Sequence, residues 1–394
     1  MRGLQRIVLF IFFFSINFEM WDPFSTGGYF SLSKLTGFLY LLVMIPSIIN
    51  FRTPLEFKPV LRPIFYFFLL LTLISLFNIK TDYLNIIDFT ILQNIILFWI
   101  LINHEQHDNL VLERGMLGFA IGSVLLAFLF SLDIGIDYDS VSNRYSIFGD
   151  NSNNIGIRMS ISLIIIPVTI FQNRLNLGKV RYLLLLGFPL IFNAMIATGS
   201  RVSFLAFLMA FVAYFFLIKT KNKLAKPLLI LVGAFILIYI WQVLLRSEEI
   251  VQRLIMSIHE GDLSEREMVW KNVMPIWLNH PILGVGKTGY EYITLSSVGR
   301  VISPHNVILE VLCLTGITGL VFYLIFLYRI TKISYLTYKH HKLQLSILLL
   351  IPVFGLLLSA QLLQVKMGWI ILSYVVANSI YLAKDEEVKD YNVV

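Results

Sequence analysis

The sequence predicts an all-α polytopic membrane protein, and its composition supports this prediction in three ways. Of its 394 residues, 57% are hydrophobic and only 14% are charged, and the mean hydropathy is +0.78. A soluble domain carries about 25% charged residues, so this chain has too few charges to coat a water-facing surface of its size. Disordered chains are poor in aromatic residues, whereas this one has 32 Phe, 18 Tyr and 6 Trp. Its single cysteine, Cys313, excludes an internal disulfide and a cysteine-built metal site.

Twelve apolar runs are candidates for transmembrane helices. A helix needs about 20 mostly apolar residues to cross a bilayer, and charged residues or Gly and Pro bound each run. Several runs are short, so we expect the boundaries to be approximate. The predicted spans are 5–18, 35–50, 63–78, 88–103, 115–133, 155–171, 183–197, 202–218, 227–243, 306–328, 346–360 and 369–383.

The distribution of Lys and Arg predicts the orientation. With the N-terminus in the cytoplasm, most of the 31 Lys and Arg residues fall in cytoplasmic loops, as the positive-inside rule requires. A net charge of +7 could also indicate binding to nucleic acid, but the basic cytoplasmic loops are the simpler explanation. We therefore expect residues 1–243 to form spans one to nine, and residues 305–394 to form spans ten to twelve and a cytoplasmic tail.

Residues 244–304 form one long loop between the ninth and tenth spans, and we expect this loop to be folded and extracytoplasmic. It contains an amphipathic stretch, Glu265–Trp277, and a Gly-rich turn at Gly284, Gly286 and Gly289. Loops of this length are usually functional or disordered, and this one is not low in complexity. The two halves of the chain show no repeat, which disfavours a transporter because many transporters are built from repeats.

Arginines near the predicted outer ends of spans are the first candidates for a site. Arg158 lies one turn inside a span, four residues after Asn154, so the two share a helix face. Arg201 opens another span, and Arg266 lies in the amphipathic stretch of the loop. Arg158 and Arg144 are the lesser candidates. An arginine at membrane depth is costly, so a functional role is the default interpretation. The alternatives are snorkelling to lipid headgroups and, for Arg266, a local ion pair.

His305 is the candidate general base. It lies in the string Ser303-Pro304-His305-Asn306, at the predicted outer mouth of the tenth span. We expect Pro304 to occupy the start of the helix, where its missing N–H costs nothing, and His305 to face the aqueous rim. Histidine is the commonest general acid or base, although most single histidines have only a structural role.

The string Asp137-Tyr138-Asp139 has a spacing that some metal-dependent glycosyltransferases use. Asp is also common in turns, and we prefer that interpretation. No histidine spacing indicates zinc, and no Gly-rich loop precedes a Lys-Ser/Thr pair, so nucleotide hydrolysis is not supported. The sequence therefore predicts neither a metal nor a cofactor.

Four short strings occur in order on the outer side of the predicted membrane. They are Phe148–Asn154 (FGDNSNN), Thr198–Arg201 (TGSR), His280–Gly286 (HPILGVG) and His305–Leu309 (HNVIL). Together with the long loop, they resemble the O-antigen ligase/O-antigen polymerase superfamily of bacterial inner-membrane glycosyltransferases. The separations of Arg201 from Leu205 and of His305 from Gly316 resemble the ligase branch. The resemblance covers about residues 140–325.

The resemblance implies a metal-independent glycosyltransferase that takes a saccharide from undecaprenyl diphosphate on the periplasmic side of the inner membrane. In the ligase branch, the saccharide moves en bloc to a sugar hydroxyl of lipid A–core. In the polymerase branch, it moves to the next lipid-linked repeat unit. We favour the ligase on the two spacings. An O-antigen or exopolysaccharide polymerase is the alternative, and a twelve-span transporter is less favoured.

The expected partners are the lipid-linked donor, the glycan acceptor and the surrounding membrane lipids. His305 and Arg201 are the expected catalytic residues. The expected substrate-binding residues are Arg266, Arg158, Arg144 and Asn154.

Overall fold

The structure is a computed structural model that describes residues 1–27, 29–53, 57–78, 86–139, 144–217, 238, 242, 266–359 and 362–379. Most of these residues are helical. The helices are α1 (Arg2–Ser15), α2 (Leu32–Ile48), α3 (Lys58–Phe77), α4 (Phe89–His107), α5 (Val111–Ser131), α6 (Ser152–Gln172), α7 (Gly187–Ala197), α8 (Arg201–Leu217), α9 (Arg266–Asn279), α10 (Gly286–Val298), α11 (Val307–His341), α12 (Gln344–Ser359) and α13 (Lys366–Ala377). Two 3-10 helices are Ile16–Phe18 and Gly178–Leu186, and two strands are β1 (Ile136–Asp139) and β2 (Arg144–Ile147).

The helices agree with the predicted class of membrane protein. Among the described residues, five helical runs are long and apolar enough to cross a membrane: α3, α5, α6, α11 and the run Gly178–Ala197. Helices α2, α8, α12 and α13 are apolar but shorter. Every predicted span overlaps a helix except the ninth, 227–243, which lies outside the described residues apart from positions 238 and 242. The number of spans and their orientation stay predictions.

The chain divides into two compact units. Helices α1, α2 and α5 to α8 belong to unit 1, helices α3, α9 to α11 and α13 belong to unit 2, and α4 and α12 have residues in both. Unit 1 comprises Met1–Phe51, His104–Glu260 and Leu343–Gly355, and unit 2 comprises Arg52–Asn103, Gly261–Lys342 and Leu356–Val394. These units group the chain by packing, whereas the segments 1–243, 244–304 and 305–394 describe its predicted course through the membrane.

In unit 1, α1 lies against a face of α5 that is made of glycines. A Cβ atom on Gly118 would lie 2.7 Å from the carbonyl oxygen of Phe10, and one on Gly122 would lie 2.5 Å from that of Phe14. Small residues allow this close approach of backbones, which is common between membrane helices. Larger side chains at these two positions would therefore separate α1 from α5.

Helix α6 packs against α5, α7 and α8 in unit 1. In its most apolar 18-residue window, 83% of the residues are buried, as expected for a helix that packs on several sides. Ser162 Oγ donates to Ser123 Oγ on α5 (2.6 Å), and Ser123 Oγ donates to Asn17 Oδ1 (2.6 Å). Such bonds between membrane helices contribute roughly 0.6 kcal/mol each.

In unit 2, a crossing segment, residues 281–285, interrupts α11 at Gly316. Gly316 has φ 63° and ψ −163°, a combination that is essentially restricted to glycine. A continuous helix would pair the Ile317 N–H with the Cys313 carbonyl. Here the Ile317 N–H donates to the carbonyl of Pro281 (2.9 Å), and the Cys313 carbonyl accepts from the N–H of Val285 (2.9 Å). The kink therefore leaves neither group without a hydrogen bond.

The two backbones at this crossing are too close for a side chain to lie between them. A Cβ atom on Gly316 would lie 2.3 Å from the carbonyl group of Ile282. A Cβ atom on Gly284, which also has a positive φ of 65°, would lie 2.6 Å from the carbonyl oxygen of Cys313. The HPILGVG string and the glycine eleven positions after His305 therefore meet at this crossing.

The start of α10 is fixed to α3. The N–H of Lys287 donates to Ser75 Oγ (2.8 Å), and Thr288 Oγ1 donates to the carbonyl of Ser75 (2.8 Å). A Cβ atom on Gly286 would lie 2.6 Å from the backbone nitrogen of Ser75. The last glycine of the HPILGVG string is therefore required for this contact.

We predict that Gly316→Ala destabilises the protein by at least about 2 kcal/mol, because it adds backbone strain and overpacking at the crossing. The apparent melting temperature of the detergent-solubilised protein should fall by roughly 5 °C or more. Gly3→Ala is the control, since a Cβ atom there would meet no atom within 4 Å. Equal melting temperatures for the two variants would contradict this account of the crossing.

Candidate functional site

The residues predicted to form the site are divided between the two units. Arg144, Asn154, Arg158 and Arg201 belong to unit 1, and Arg266 and His305 belong to unit 2. The FGDNSNN and TGSR strings lie in unit 1, and the HPILGVG and HNVIL strings lie in unit 2.

Arg158, on α6, is buried and forms ion pairs with two carboxylates. Its side chain is 1% exposed, its Nη2 lies 3.0 Å from Glu19 Oε2, and its Nη1 donates to Asp150 Oδ2. Asn154 Nδ2 lies 3.4 Å from Asp150 Oδ1. Asn154 and Arg158 therefore share a helix face, as predicted, and both contact Asp150.

These ion pairs give Arg158 an environment that differs from the snorkelling position considered as the alternative to a functional role. Two carboxylates more than balance one guanidinium, so they compete with any phosphate for Arg158. Removing one member of such a buried cluster typically costs about 3–5 kcal/mol. Neither partner is evident from the sequence: Asp150 is one of several polar residues in its string, and Glu19 is 139 positions away.

Arg201 is the first residue of α8, and a tight turn leads into it. Gly199 has a φ of 59°, and Thr198 Oγ1 accepts from the N–H of Ser200 (3.4 Å). Ser203 Oγ donates to Ser200 Oγ (2.7 Å), and the Thr198, Ser200 and Ser203 side chains are all buried. The Arg201 side chain is half-buried at the N-terminus of a helix, where the helix dipole also favours negative charge.

In unit 1, the first turns of α6, just after the FGDNSNN string, pack against the TGSR turn and the start of α8. A Cβ atom on Gly156 would lie 2.5 Å from Ser203 Oγ and 2.9 Å from Thr198 Oγ1. Gly156 lies between Asn154 and Arg158 on α6, so the absence of a side chain there lets the TGSR turn contact α6. The structure therefore brings the FGDNSNN and TGSR strings together, although α6 and α7 separate them along the chain.

Arg144 opens β2 in an antiparallel hairpin that the all-α prediction did not include. The hairpin register pairs Arg144 with Asp139. Asp137 Oδ2 accepts from the N–H of Gly149 (3.3 Å), which is a structural role that Asp often has beside turns. In the part of the chain that the structure describes, no group of three His, Cys, Asp or Glu residues could hold a metal ion. Metal independence stays a prediction.

Arg266 is the first residue of α9, in the described part of the long loop. The predicted amphipathic stretch forms this helix, and it buries Val273 and Ile276. Trp270, one turn after Arg266, donates its Nε1–H to the carbonyl of Pro304 (2.9 Å). This hydrogen bond fixes α9 to the loop that precedes α11. The local ion-pair alternative has three acidic candidates: those at positions 262 and 265 lie outside the described residues, and Glu267 follows Arg266 on α9.

His305 is exposed, and its backbone adopts a left-handed conformation just before α11. Its φ is 48°, which is uncommon for a residue with a side chain. Its N–H donates to Ser303 Oγ (3.2 Å), and the neighbouring Asn306 side chain accepts from the N–H of Leu309 (3.1 Å). Strained conformations of this kind persist where the surrounding contacts hold them, and they cluster at functional sites.

The expectation that Pro304 occupies the helix start is wrong. Helix α11 begins at Val307 with Asn306 as its N-cap, because a side chain that accepts from the first turn stabilises a helix start by about 1 kcal/mol. Pro304 lies two residues earlier, where its carbonyl accepts the bond from Trp270. His305 therefore lies between two fixed residues rather than inside the helix.

Comparison with known proteins tests the resemblance. Residues 186–324 match the family described as O-antigen ligase. This stretch runs from the start of α7 to the first half of α11, and it includes Arg201, Arg266, His305 and Gly316. No curated protein matches the chain. The family match supports an O-antigen ligase- or polymerase-like enzyme in general. The resemblance to the O-antigen ligase/polymerase superfamily is therefore confirmed, through residues 186–324.

Proposed function

We propose that this protein is an inner-membrane glycosyltransferase. It moves a saccharide en bloc from undecaprenyl diphosphate to a sugar hydroxyl on the periplasmic side of the membrane. The family match carries this proposal, because the matched residues include both an arginine at a helix start, Arg201, and an exposed histidine, His305. The reaction requires a cation for the leaving group and a base for the acceptor. It uses neither a metal nor a cofactor.

Arg201 and Arg266 bind the diphosphate in this proposal. Arginine offers a planar pair of donors that matches two phosphate oxygens. Both residues begin helices, whose N-terminal N–H groups also favour an anion. Arg144 and Arg158 contribute less, since the carboxylates of Asp150 and Glu19 already pair with Arg158. Asn154 and Arg158 both contact Asp150, so Asn154 supports the same part of the donor site.

His305 is the general base. An imidazole nitrogen takes the proton of the acceptor hydroxyl, and the acceptor oxygen forms a bond to the anomeric carbon of the donor. The bond between that carbon and the diphosphate oxygen breaks, and the diphosphate leaves with the electron pair. Arginines stabilise the charge that develops on this leaving group.

Lipid A–core is the acceptor that we favour, on the separations of Arg201 from Leu205 and of His305 from Gly316. The close contact at the crossing explains why a glycine is needed at position 316. Neither spacing identifies the sugar acceptor. An O-antigen or exopolysaccharide polymerase is therefore the second candidate. The family match disfavours a twelve-span transporter.

A deletion strain examined by lipopolysaccharide gel tests this proposal. A ligase predicts loss of ligated chains and accumulation of lipid-linked polymer. A core that carries a single repeat unit would instead identify an O-antigen polymerase. An unchanged ladder with a changed exopolysaccharide would identify an exopolysaccharide polymerase. No change in any glycan would contradict a role in glycan transfer.

We predict that His305→Ala lowers the transfer rate by about 10²–10⁴-fold, because it removes a positioned base. Binding of the lipid-linked donor to the purified variant should persist, as native mass spectrometry can measure. His340→Ala is the control, since His340 is an exposed histidine at the far end of α11, the helix that follows His305. Loss of donor binding together with activity would make His305 a binding residue.

We predict that Arg201→Ala lowers the transfer rate by about 10²–10³-fold, as for loss of one group that stabilises developing charge. Arg201→Lys should restore only part of the rate, because lysine lacks the planar fork. The measurement is transfer from purified lipid-linked donor, with Arg62→Ala on the exposed face of α3 as the control. Wild-type rates in Arg201→Ala would remove this residue from the site.

We predict that transfer continues in EDTA and that the double variant Asp137→Ala, Asp139→Ala retains most of its activity. The physical reason is that arginines, rather than a metal ion, neutralise the leaving diphosphate. The measurement is the initial rate before and after chelation. Activity that is lost in EDTA and restored by Mg²⁺ or Mn²⁺ would contradict the proposal.

A further inference from the structure

A polar cavity of about 330 Å³ in unit 2 adjoins the loop that carries His305. Its volume is at the lower end of the range for small-molecule sites, roughly 300–1,000 Å³. Residues of α10, of the loop before α11, of α11 itself and of the turn before α13 line it. Among its lining residues are Asp88, Lys287, Tyr290, Pro304, Glu310 and Gln364.

Most polar groups of this cavity are held by other protein groups. Asp88 caps α4 by accepting from the N–H groups of Thr90 and Ile91 (3.1 Å each), and its Oδ2 lies 3.3 Å from Lys287 Nζ. The Tyr290 hydroxyl donates to the carbonyl of Ile302 (2.9 Å). Burial raises the pKa of Tyr290, so this hydroxyl keeps its proton. The walls of the cavity are therefore fixed before a ligand binds.

Glu310 differs from these residues. Its side chain is 6% exposed and lines the cavity, and its Oε2 has no hydrogen-bond partner within the described parts of the chain. A buried polar oxygen without a partner costs roughly 1–3 kcal/mol. Such groups are rare in native structures unless a ligand or water satisfies them. Glu310 therefore brings to the wall of the cavity a carboxyl group with one unsatisfied oxygen.

The charges of the lining indicate what that group is. Three carboxyl groups, those of Asp88, Glu291 and Glu310, line the cavity with one ammonium group, that of Lys287. A diphosphate is disfavoured by this excess of carboxyl groups. No described group of three His, Cys, Asp or Glu residues is arranged to hold a metal ion. A ring that bears several hydroxyls fits, because each hydroxyl both donates and accepts a hydrogen bond.

We propose that this cavity binds a sugar ring of the acceptor, and that Glu310 holds the ring so that its reacting hydroxyl lies at His305. This inference rests on the proposed function. The acceptor, rather than the donor, is the occupant because Pro304 lines the cavity and the next residue, His305, must contact the acceptor hydroxyl. Glu310 is a binding and positioning residue and takes no part in the proton transfer.

The test is steady-state transfer by the purified full-length protein, with the acceptor that the deletion strain identifies, either lipid A–core or the lipid-linked repeat unit. Glu310→Gln keeps the size of the side chain but replaces one acceptor atom with a donor. We expect the acceptor KM to rise about 10- to 100-fold, as for loss of a hydrogen bond to a carboxylate. The donor KM should not change, and kcat should change little, because the contact is made in the ground state as well.

Two further variants keep the test decisive. Gln364→Ala changes an exposed residue of the same wall, so the variant should fold even if Glu310→Gln does not. We expect it to raise the acceptor KM about 3- to 10-fold, as for loss of a neutral hydrogen bond. Asp133→Asn, at an exposed position just after α5, is the control and should behave as the wild type.

Three results would overturn the acceptor subsite. They are an unchanged acceptor KM in both cavity variants, a rise in the donor KM instead, and a loss of kcat alone at constant KM. If the wild-type enzyme transfers no glycan to either acceptor, the proposed function itself fails, and the subsite fails with it. Wild-type transfer with unchanged KM values in the variants would reject the subsite alone.

Discussion

The hydrogen bonds between the crossing segment and the kink of α11 determine how unit 2 is built. Because Ile317 and Cys313 each bond to the crossing segment, the kink satisfies backbone groups that a continuous helix would pair internally. The crossing segment leads directly into α10, whose first residues bond to Ser75. The N-terminal half of α11, before the kink, carries Glu310. The crossing therefore helps to place α10 and the N-terminal half of α11, both of which line the polar cavity.

Unit 1 depends on a contact of a different kind, the buried cluster of Arg158 with Asp150 and Glu19. In an apolar environment, a guanidinium without partners is costly, and two carboxylates satisfy it only if the chain brings them there. The cluster therefore fixes the segment after α1 and the loop before α6 relative to each other. It lies on the same helix as Gly156, which contacts the TGSR turn, so the cluster also supports the position of Arg201.

Local patterns in the sequence predicted part of this structure, and long-range contacts account for the rest. Apolar runs predicted the helices, and the shared face of Asn154 and Arg158 followed from their spacing of four residues. The carboxylate of Glu19 could not be matched to Arg158, because no local pattern indicates a contact over 139 positions. The start of α11 was misplaced because Pro304 is compatible with a first turn, whereas Asn306 forms the actual cap. The polar cavity depends on Asp88 and Lys287, which only the folded chain brings together.

The left-handed backbone of His305 sets a conflict between stability and activity at one position. Glycine and asparagine adopt a φ of 48° more readily than histidine does, so replacing His305 with either residue relieves strain while removing the imidazole. Natural proteins often retain such a cost where activity needs it. Selection for thermal stability alone would therefore drive this position away from histidine, and only selection for transfer would keep histidine there. A library that is sorted first for stability and then for activity would separate the two demands at this residue.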